Sequence, residues 1–337
     1  MKKKYLAAGI GGAIGAVVAW KFLTRADTVH WEQAADMHHA GHSSFVEVDG
    51  LRMHYQEFGE DNAPVMLLIH GYSASTFTWK VAAPIFADLG FRVIALDMVG
   101  FGYSSKPGWF DYTIQSQARV VERFMDRLGI GTALVVGSSY GGGVAATLTL
   151  DYPERVEKLI LVDAVANDNA MNHPLISLVR TPVVGELLGA FLVDSKRFVK
   201  HRMLESLGPN SRHLASESRV NAIHRPLHAA DGHNSMLASI RNWDANRIER
   251  DAYQIKQPVL LIWGEHDVVI PPHNGHELHR LLPDSKLVIF KNCGHVPQEE
   301  FPEEFVSVVT DFCLAKTLEP AMDNVRSISD VKESKAS

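Results

Sequence analysis

Cysteine is scarce in this chain: Cys293 and Cys313 are the only two among 337 residues, and they lack metal-ligand spacing. A disulfide framework and a paired-cysteine zinc site are therefore excluded. Basic clusters are missing beyond the first few residues, and a formal net charge of −6 supplies no electrostatic footprint for nucleic acid. No glycine-rich loop runs into a lysine, so there is no cradle for a nucleotide phosphate, and no internal repeat suggests a solenoid. Neither a cofactor nor a metal is implied. An uncharged run also lies at the N-terminus, where Lys2, Lys3 and Lys4 precede residues 5–20 and Lys21 and Arg25 follow them.

What the chain does carry is Gly137-Ser138-Ser139-Tyr140-Gly141, placed between an apolar run at 132–136 and a small-residue stretch at 142–150. The first reads as a buried strand and the second as a helix packed on a small-residue face. A strand that turns abruptly into a helix can hold a serine hydroxyl proud of its surroundings only if the neighbouring residues lack bulk. Gly137 and Gly141 meet that condition, so Ser139 is the candidate nucleophile.

A serine hydroxyl needs a base to take its proton and a carboxylate to orient that base. A strand at 287–290 runs into Lys291-Asn292-Cys293-Gly294-His295, which places His295 on a loop past a strand end, as the candidate base. Another apolar strand at 259–263 leads into Gly264-Glu265-His266-Asp267. Asp267 is the candidate acid, with Glu265 and Asp163, the latter after a strand at 159–162, as alternatives. Among the seventeen histidines, most lie in polar stretches. His266 adjoins Asp267 but lies in the wrong part of the chain for a serine, acid, histidine order. Backbone amides are the usual oxyanion donors because they are fixed before reaction. His70-Gly71-Tyr72 follows the strand at 65–69, and the N–H groups of Tyr72 and Tyr140 would form the oxyanion hole. The His70 side chain and the Asp97 to Ser104 loop read as structural supports.

With these pieces in order, His70-Gly71, Asp97-x-x-Gly100-x-Gly102-x-Ser104, Gly137-x-Ser139-x-Gly141, Asp267 and Gly294-His295, the chain resembles the α/β-hydrolase superfamily from about Phe45 to about Ala315. It is most similar in look to serine esterases and lipases of the monoacylglycerol-lipase-like and bacterial lipase branches. The resemblance implies a nucleophile, acid and base at Ser139, Asp267 and His295. Haloalkane dehalogenases and epoxide hydrolases of the superfamily carry an aspartate nucleophile, which the serine here argues against. Proline iminopeptidases extend the oxyanion turn as His-Gly-Gly-Pro-Gly, which His70-Gly71-Tyr72-Ser73-Ala74 does not match.

The fold expected from pattern and resemblance together is α/β: a mostly parallel eight-stranded sheet with helices on both faces and a helical cap insertion. Two strands around Asp49-Gly50 alternate apolar and polar as a hairpin, and six apolar strands separated by helical stretches follow in a βαβ rhythm. Residues 1–4 are a basic N-terminus and residues 5–23 a signal-anchor transmembrane helix, with a cleaved signal peptide as the rival reading. Residues 24–43 are a linker, 44–316 the hydrolase domain with its cap at about 165–256, and 317–337 a disordered tail. Lysines N-terminal to the anchor imply a catalytic domain on the non-cytoplasmic side, or a secreted or periplasmic protein if the signal is cleaved. Apolar cap residues such as Leu187, Leu188, Phe191 and Leu192 are candidates to line an acyl pocket. The expected activity is hydrolysis of carboxylic esters, lipid-derived or otherwise apolar, through an acyl-enzyme and without cofactor. The alternatives are a carbon-carbon bond hydrolase or thioesterase with the same triad, and a non-catalytic ligand-binding protein on the same fold.

Overall fold

A computed structural model describes residues 38–315, apart from 173, 183, 187–194 and 229, together with 325–327. The sheet opens with the expected hairpin, β1 (Ser43–Val48) against β2 (Leu51–Phe58), whose turn places Asp49 and Gly50 at positive φ. Then come β3 (Val65–Ile69), β4 (Arg92–Leu96), β5 (Ala133–Ser138), β6 (Val156–Val162), β7 (Val259–Gly264) and β8 (Ser285–Phe290). With a ninth strand, β9 (Val325–Ser327), the spatial order is β1-β2-β4-β3-β5-β6-β7-β8-β9, antiparallel at the first two pairings and parallel at the rest.

The ninth strand, β9 (Val325–Ser327), departs from the expected eight. It pairs in parallel with β8, Val325 opposite Leu287, inside the segment expected to be a disordered tail. The edge of β8 presents unpaired backbone N–H and C=O groups, and main-chain pairing needs no apolar side chains from its partner. The rest of that tail lies outside the described residues.

Alternation along each central strand splits the core in two. Leu67, Ile69, Val135, Leu159 and Leu261 pack on one face, with helices α2 (Ile114–Arg127) and α3 (Tyr140–Asp151). Met66, Leu68, Val136, Ile160 and Ile262 pack on the other, with α1 (Ala82–Asp88) and the C-terminal helix at Pro302–Leu314. Strands buried on both sides read as continuous apolar runs, as parallel strands between helix layers must. Helix α2 begins where the Thr113 hydroxyl accepts the Ser116 N–H at 3.1 Å, and its end is followed by Gly129 at φ 68°.

Between β6 and β7 the chain leaves the sheet and forms helices α4 (Pro174–Arg180), α5 (Lys196–Ser206), α6 (Glu217–Leu227), α7 (Ala230–Arg241) and α8 (Asn246–Asp251). Leu187, Leu188, Phe191 and Leu192 lie outside the described residues. So do residues 1–37, and with them the expected anchor. Among the described residues no helix is long and apolar enough to cross a membrane. Helix α9 (His273–Leu281) follows β7, and α10 (Pro297–Glu300) and α11 (Pro302–Leu314) close the domain.

Phe305 on α11 is fully buried, with its ring 6.1 Å from Phe86 and 6.4 Å from Trp79. Truncation there leaves a cavity that rigid neighbours cannot fill. Phe305→Ala is expected to destabilise the fold by about 3–5 kcal/mol, measurable by chemical denaturation.

Candidate active site

Ser139 stands at the junction of β5 and α3 with φ 54° and ψ −119°, a conformation that non-glycine residues rarely adopt. Backbone hydrogen bonds hold it there. Its N–H donates to the Val162 carbonyl at 2.8 Å, while its own carbonyl accepts from Val165 at 3.0 Å and from Gly142 at 3.0 Å. The flanking glycines are demanded by contact. A Cβ on Gly137 would lie 2.7 Å from the Gly142 Cα, and one on Gly141 would lie 2.5 Å from the Ile69 carbonyl oxygen. Ser139 is partly exposed, whereas residues 133–138 and Tyr140 are buried.

The turn after β3 reaches this elbow directly. A Cβ built on Gly71 would lie 3.1 Å from Ser139 Cβ and 3.7 Å from its Oγ. Among the described residues the N–H groups of Tyr72, on the turn after β3, and of Tyr140, at the start of α3, make no intramolecular hydrogen bond. His70 is fully buried, its Nδ1 2.8 Å from the Gly71 carbonyl, and its Nε2 accepts the Met98 N–H at 3.1 Å. Burial lowers its pKa and keeps the ring neutral.

Asp97 anchors that turn from below. One carboxylate oxygen accepts the Thr76 N–H at 2.7 Å, and the other takes Tyr103 N–H at 2.9 Å and His54 Nδ1 at 2.7 Å. Burial by itself would raise this carboxyl, but the charge and hydrogen bond of His54 outweigh it and hold the pKa below the ordinary value. The Asp97 to Ser104 loop is thus tied to the end of β3 and to β2.

His295 and Asp267 meet across the ends of β8 and β7, with His295 Nδ1 2.7 Å from Asp267 Oδ2. The other Asp267 oxygen accepts backbone N–H groups from Val269 at 2.7 Å and Ile270 at 3.0 Å. The loop that presents the acid is braced by Trp263, whose indole N–H donates to the Ile270 carbonyl at 2.8 Å. On the histidine side, the backbone N–H of His295 donates to the Ser206 carbonyl of the insertion at 2.7 Å. Glu300 clamps the same loop, accepting Gly294 N–H and Gly208 N–H at 2.9 Å each. Three residues past His295, the Gln298 amide donates to Ser138 Oγ at 3.3 Å and so ties the histidine loop to the elbow.

The two alternative acids part company here. Glu265 faces outward and accepts the Asn292 N–H at 3.0 Å. Asp163 is fully buried, adopts φ 44°, and comes within 4.8 Å of both Asp267 and His295 through its ligand atoms. One oxygen accepts Gly264 N–H at 2.9 Å, and the carboxyl hydrogen-bonds to that of Asp267. Burial, with the charge of Asp267 added, pushes its pKa well above the ordinary carboxylate range. Two carboxyls this close in a dry site do not both ionise, so Asp163 carries a proton. These three side chains are also the one grouping among the described residues with the spacing of a metal site. Both Asp267 oxygens are already engaged and Asp163 is neutral, so the donor set suits a hydrogen-bonded array better than a cation. The sequence pattern offered Asp163 only as a substitute acid; its closeness to Asp267 depends on β6 and β7 being neighbours in the sheet.

A serine on a strained strand-to-helix elbow, with a histidine and an acid after later strands of a parallel sheet, defines a hydrolase of the α/β type. Residues 64–302 match the alpha/beta hydrolase fold family, and the chain belongs to it. A 2-hydroxy-6-oxononadienedioate/2-hydroxy-6-oxononatrienedioate hydrolase of Burkholderia vietnamiensis is 31% identical over 290 residues, covering 80% of this chain and 95% of its own length. The uncharacterized hydrolase YugF of Bacillus subtilis is 28% identical over 268 residues, covering 79% of this chain and 95% of its own. Among solved structures, a membrane phospholipase A described as a bacterial virulence factor superposes with a TM-score of 0.67 at 27% identity, covering 93% of this chain and 98% of its own.

The protonated state of Asp163 has a signed consequence for stability. The unfolded chain releases this proton above the ordinary aspartate value of 3.8, whereas the folded chain retains it, so the wild type loses stability as pH rises from there. Asparagine has no proton to hold. Asp163→Asn is expected to melt at a higher temperature than wild type at about pH 8, with the difference vanishing towards about pH 4; thermal denaturation at both values checks it.

Proposed function

We propose that this hydrolase cleaves carboxylic esters, with lipid-derived or other apolar acyl esters as substrates, by a Ser139, His295 and Asp267 triad. The observation that carries the reading is the hydrogen-bonded His295–Asp267 pair, presented by a loop that Gln298 ties to the elbow bearing Ser139. In the first half-reaction His295 Nε2 accepts the Ser139 proton as Oγ adds to the ester carbonyl carbon. The carbonyl π electrons move onto oxygen, where the Tyr72 and Tyr140 amides receive the charge. Collapse of this intermediate expels the alkoxide, which His295 protonates, leaving an acyl-serine. In the second half His295 takes a proton from water, hydroxide equivalent adds to the acyl carbon, and collapse returns the proton to Ser139 and frees the acid. Asp267 holds the Nδ1–H tautomer and balances the imidazolium charge in both halves.

Two observations support a lipid ester. One is the membrane phospholipase A relative, whose coverage of 93% of this chain exceeds the 80–85% of other superposed hydrolases. The other is the uncharged run at residues 5–20 flanked by lysines, which lies outside the described residues and fits an anchor that holds the domain beside a bilayer on its non-cytoplasmic side. The helical segment between β6 and β7 then acts as a cap over the site. Its aromatic contacts fit that role: Trp243 packs 5.0 Å from Tyr140 and 6.3 Å from Tyr72, and the Tyr72 hydroxyl donates to the Met236 carbonyl at 2.9 Å. A second reading, carbon-carbon bond hydrolysis of a dienedioate-type substrate, draws support from the Burkholderia relative.

Ser139→Ala and His295→Ala are expected to lower p-nitrophenyl ester hydrolysis to near the uncatalysed rate without loss of fold. Asp267→Asn should cost on the order of 10⁴-fold in kcat. Retained turnover in the serine variant sinks the triad. A panel of acyl chains from acetyl to palmitoyl, assayed beside a ring-cleavage dienedioate, separates the two readings. Greatest kcat/KM on medium or long acyl esters is expected; preference for the dienedioate reverses the assignment. Recovery of activity in the detergent-extractable membrane fraction checks the anchor.

A further inference from the structure

At the seam where the insertion meets the core, a cavity of about 150 Å³ is lined by Thr78, Lys80, His213, Ser216, Arg219 and Glu299 among others. Arg219 enters it from α6, 4% exposed. One nitrogen of its guanidinium, Nη2, donates to Glu299 Oε1 at 2.9 Å, and the other two, Nε and Nη1, are buried with no acceptor. Lys80 enters from the core side. Its ammonium lies 3.9 Å from the centroid of the Phe77 ring and makes no hydrogen bond or ion pair with a described residue. Glu299 is already engaged, since the same oxygen also accepts the Thr78 hydroxyl at 2.8 Å.

Two cations therefore share a partly enclosed space with a single carboxylate, one oxygen of which already accepts two donors. Burial pulls the Lys80 ammonium below the ordinary lysine value, and Arg219 adds to that effect while Glu299 opposes it. The unmet donors come from different elements and approach from different sides. A tetrahedral oxyanion with three or four acceptor oxygens satisfies such a set better than a planar carboxylate. We propose that this cavity binds a phosphate group, held between Lys80 of the core and Arg219 of the insertion.

The site is distinct from the ester-cleaving residues yet close to them. Gln298 lines the same cavity, and its amide spans Thr78 Oγ1 at 3.2 Å and Ser138 Oγ at 3.3 Å, one residue from the nucleophile. Because Lys80 and Arg219 lie on opposite sides of the seam, a bound phosphate also bridges the insertion to the core. The group can arrive as free phosphate or as the phosphodiester of a lipid headgroup. The proposal does not depend on the ester reading, because binding is measured without turnover.

The test is calorimetric titration of the full chain, at matched ionic strength in chloride, with inorganic phosphate and separately with glycerophosphocholine. Saturable binding of either is expected; the diester arm alone marks a headgroup site, and the phosphate arm marks a free-anion site. Lys80→Gln should weaken binding at least about tenfold, as expected for removal of a charged hydrogen bond, and Lys80→Arg should restore most of it. An unchanged far-ultraviolet circular dichroism spectrum of Lys80→Gln shows that the variant is folded. Absence of binding in both arms, or equal binding by wild type and Lys80→Gln, overturns the proposal.

Discussion

Ser139 holds a backbone conformation that costs free energy, and the geometry of the candidate site depends on the surroundings that enforce it. The 54° φ turns its carbonyl towards the N–H groups of Gly142 and Val165, and sets its amide on the end of β6. Those bonds close only if α3 can approach β5 and β3 to within backbone contact, which bulk at Gly137 or Gly141 would prevent. Strain of this kind persists only where neighbouring structure over-determines it. Here the neighbours are three parallel strands, β3, β5 and β6, whose C-terminal ends all meet at the elbow.

Three buried aspartates near the sheet's C-terminal edge show how environment divides one chemical group into different roles. Asp97 is surrounded by three donors and stays ionised as a tie between loops. Asp267 accepts two backbone amides and faces His295. Asp163 receives one amide, lies against another carboxyl, and keeps its proton. At Asp97 the His54 charge and the converging donors outweigh burial, whereas at Asp163 burial and the neighbouring Asp267 charge prevail.

The insertion is joined to the site by backbone as much as by side chains. Ser206 accepts from His295, Gly208 donates to Glu300, and Met236 accepts from Tyr72, so the histidine loop and the turn bearing Tyr72 are both bonded to the insertion. The buried Arg219–Glu299 pair fastens α6 to α10. Movement of the insertion relative to the sheet would therefore be felt at His295 and at the turn bearing Tyr72.

Strand identity and order along the chain were legible because buried parallel strands are uninterrupted apolar runs and the hairpin carries Asp49-Gly50 at its turn. The elbow, the histidine loop and the Asp267 loop were legible because each follows such a run within a few residues. Strand β9 was missed, since a three-residue strand recruited by main-chain pairing leaves no side-chain signature. The sequence alone determined the fold class and which residues stand at strand ends, properties set by local pattern. Only the tertiary structure decided that Asp163 is a neutral neighbour of Asp267 and that Lys80 and Arg219 face one cavity. Those facts depend on which distant segments become neighbours, and burial and hydrogen-bond partners are created only by that contact.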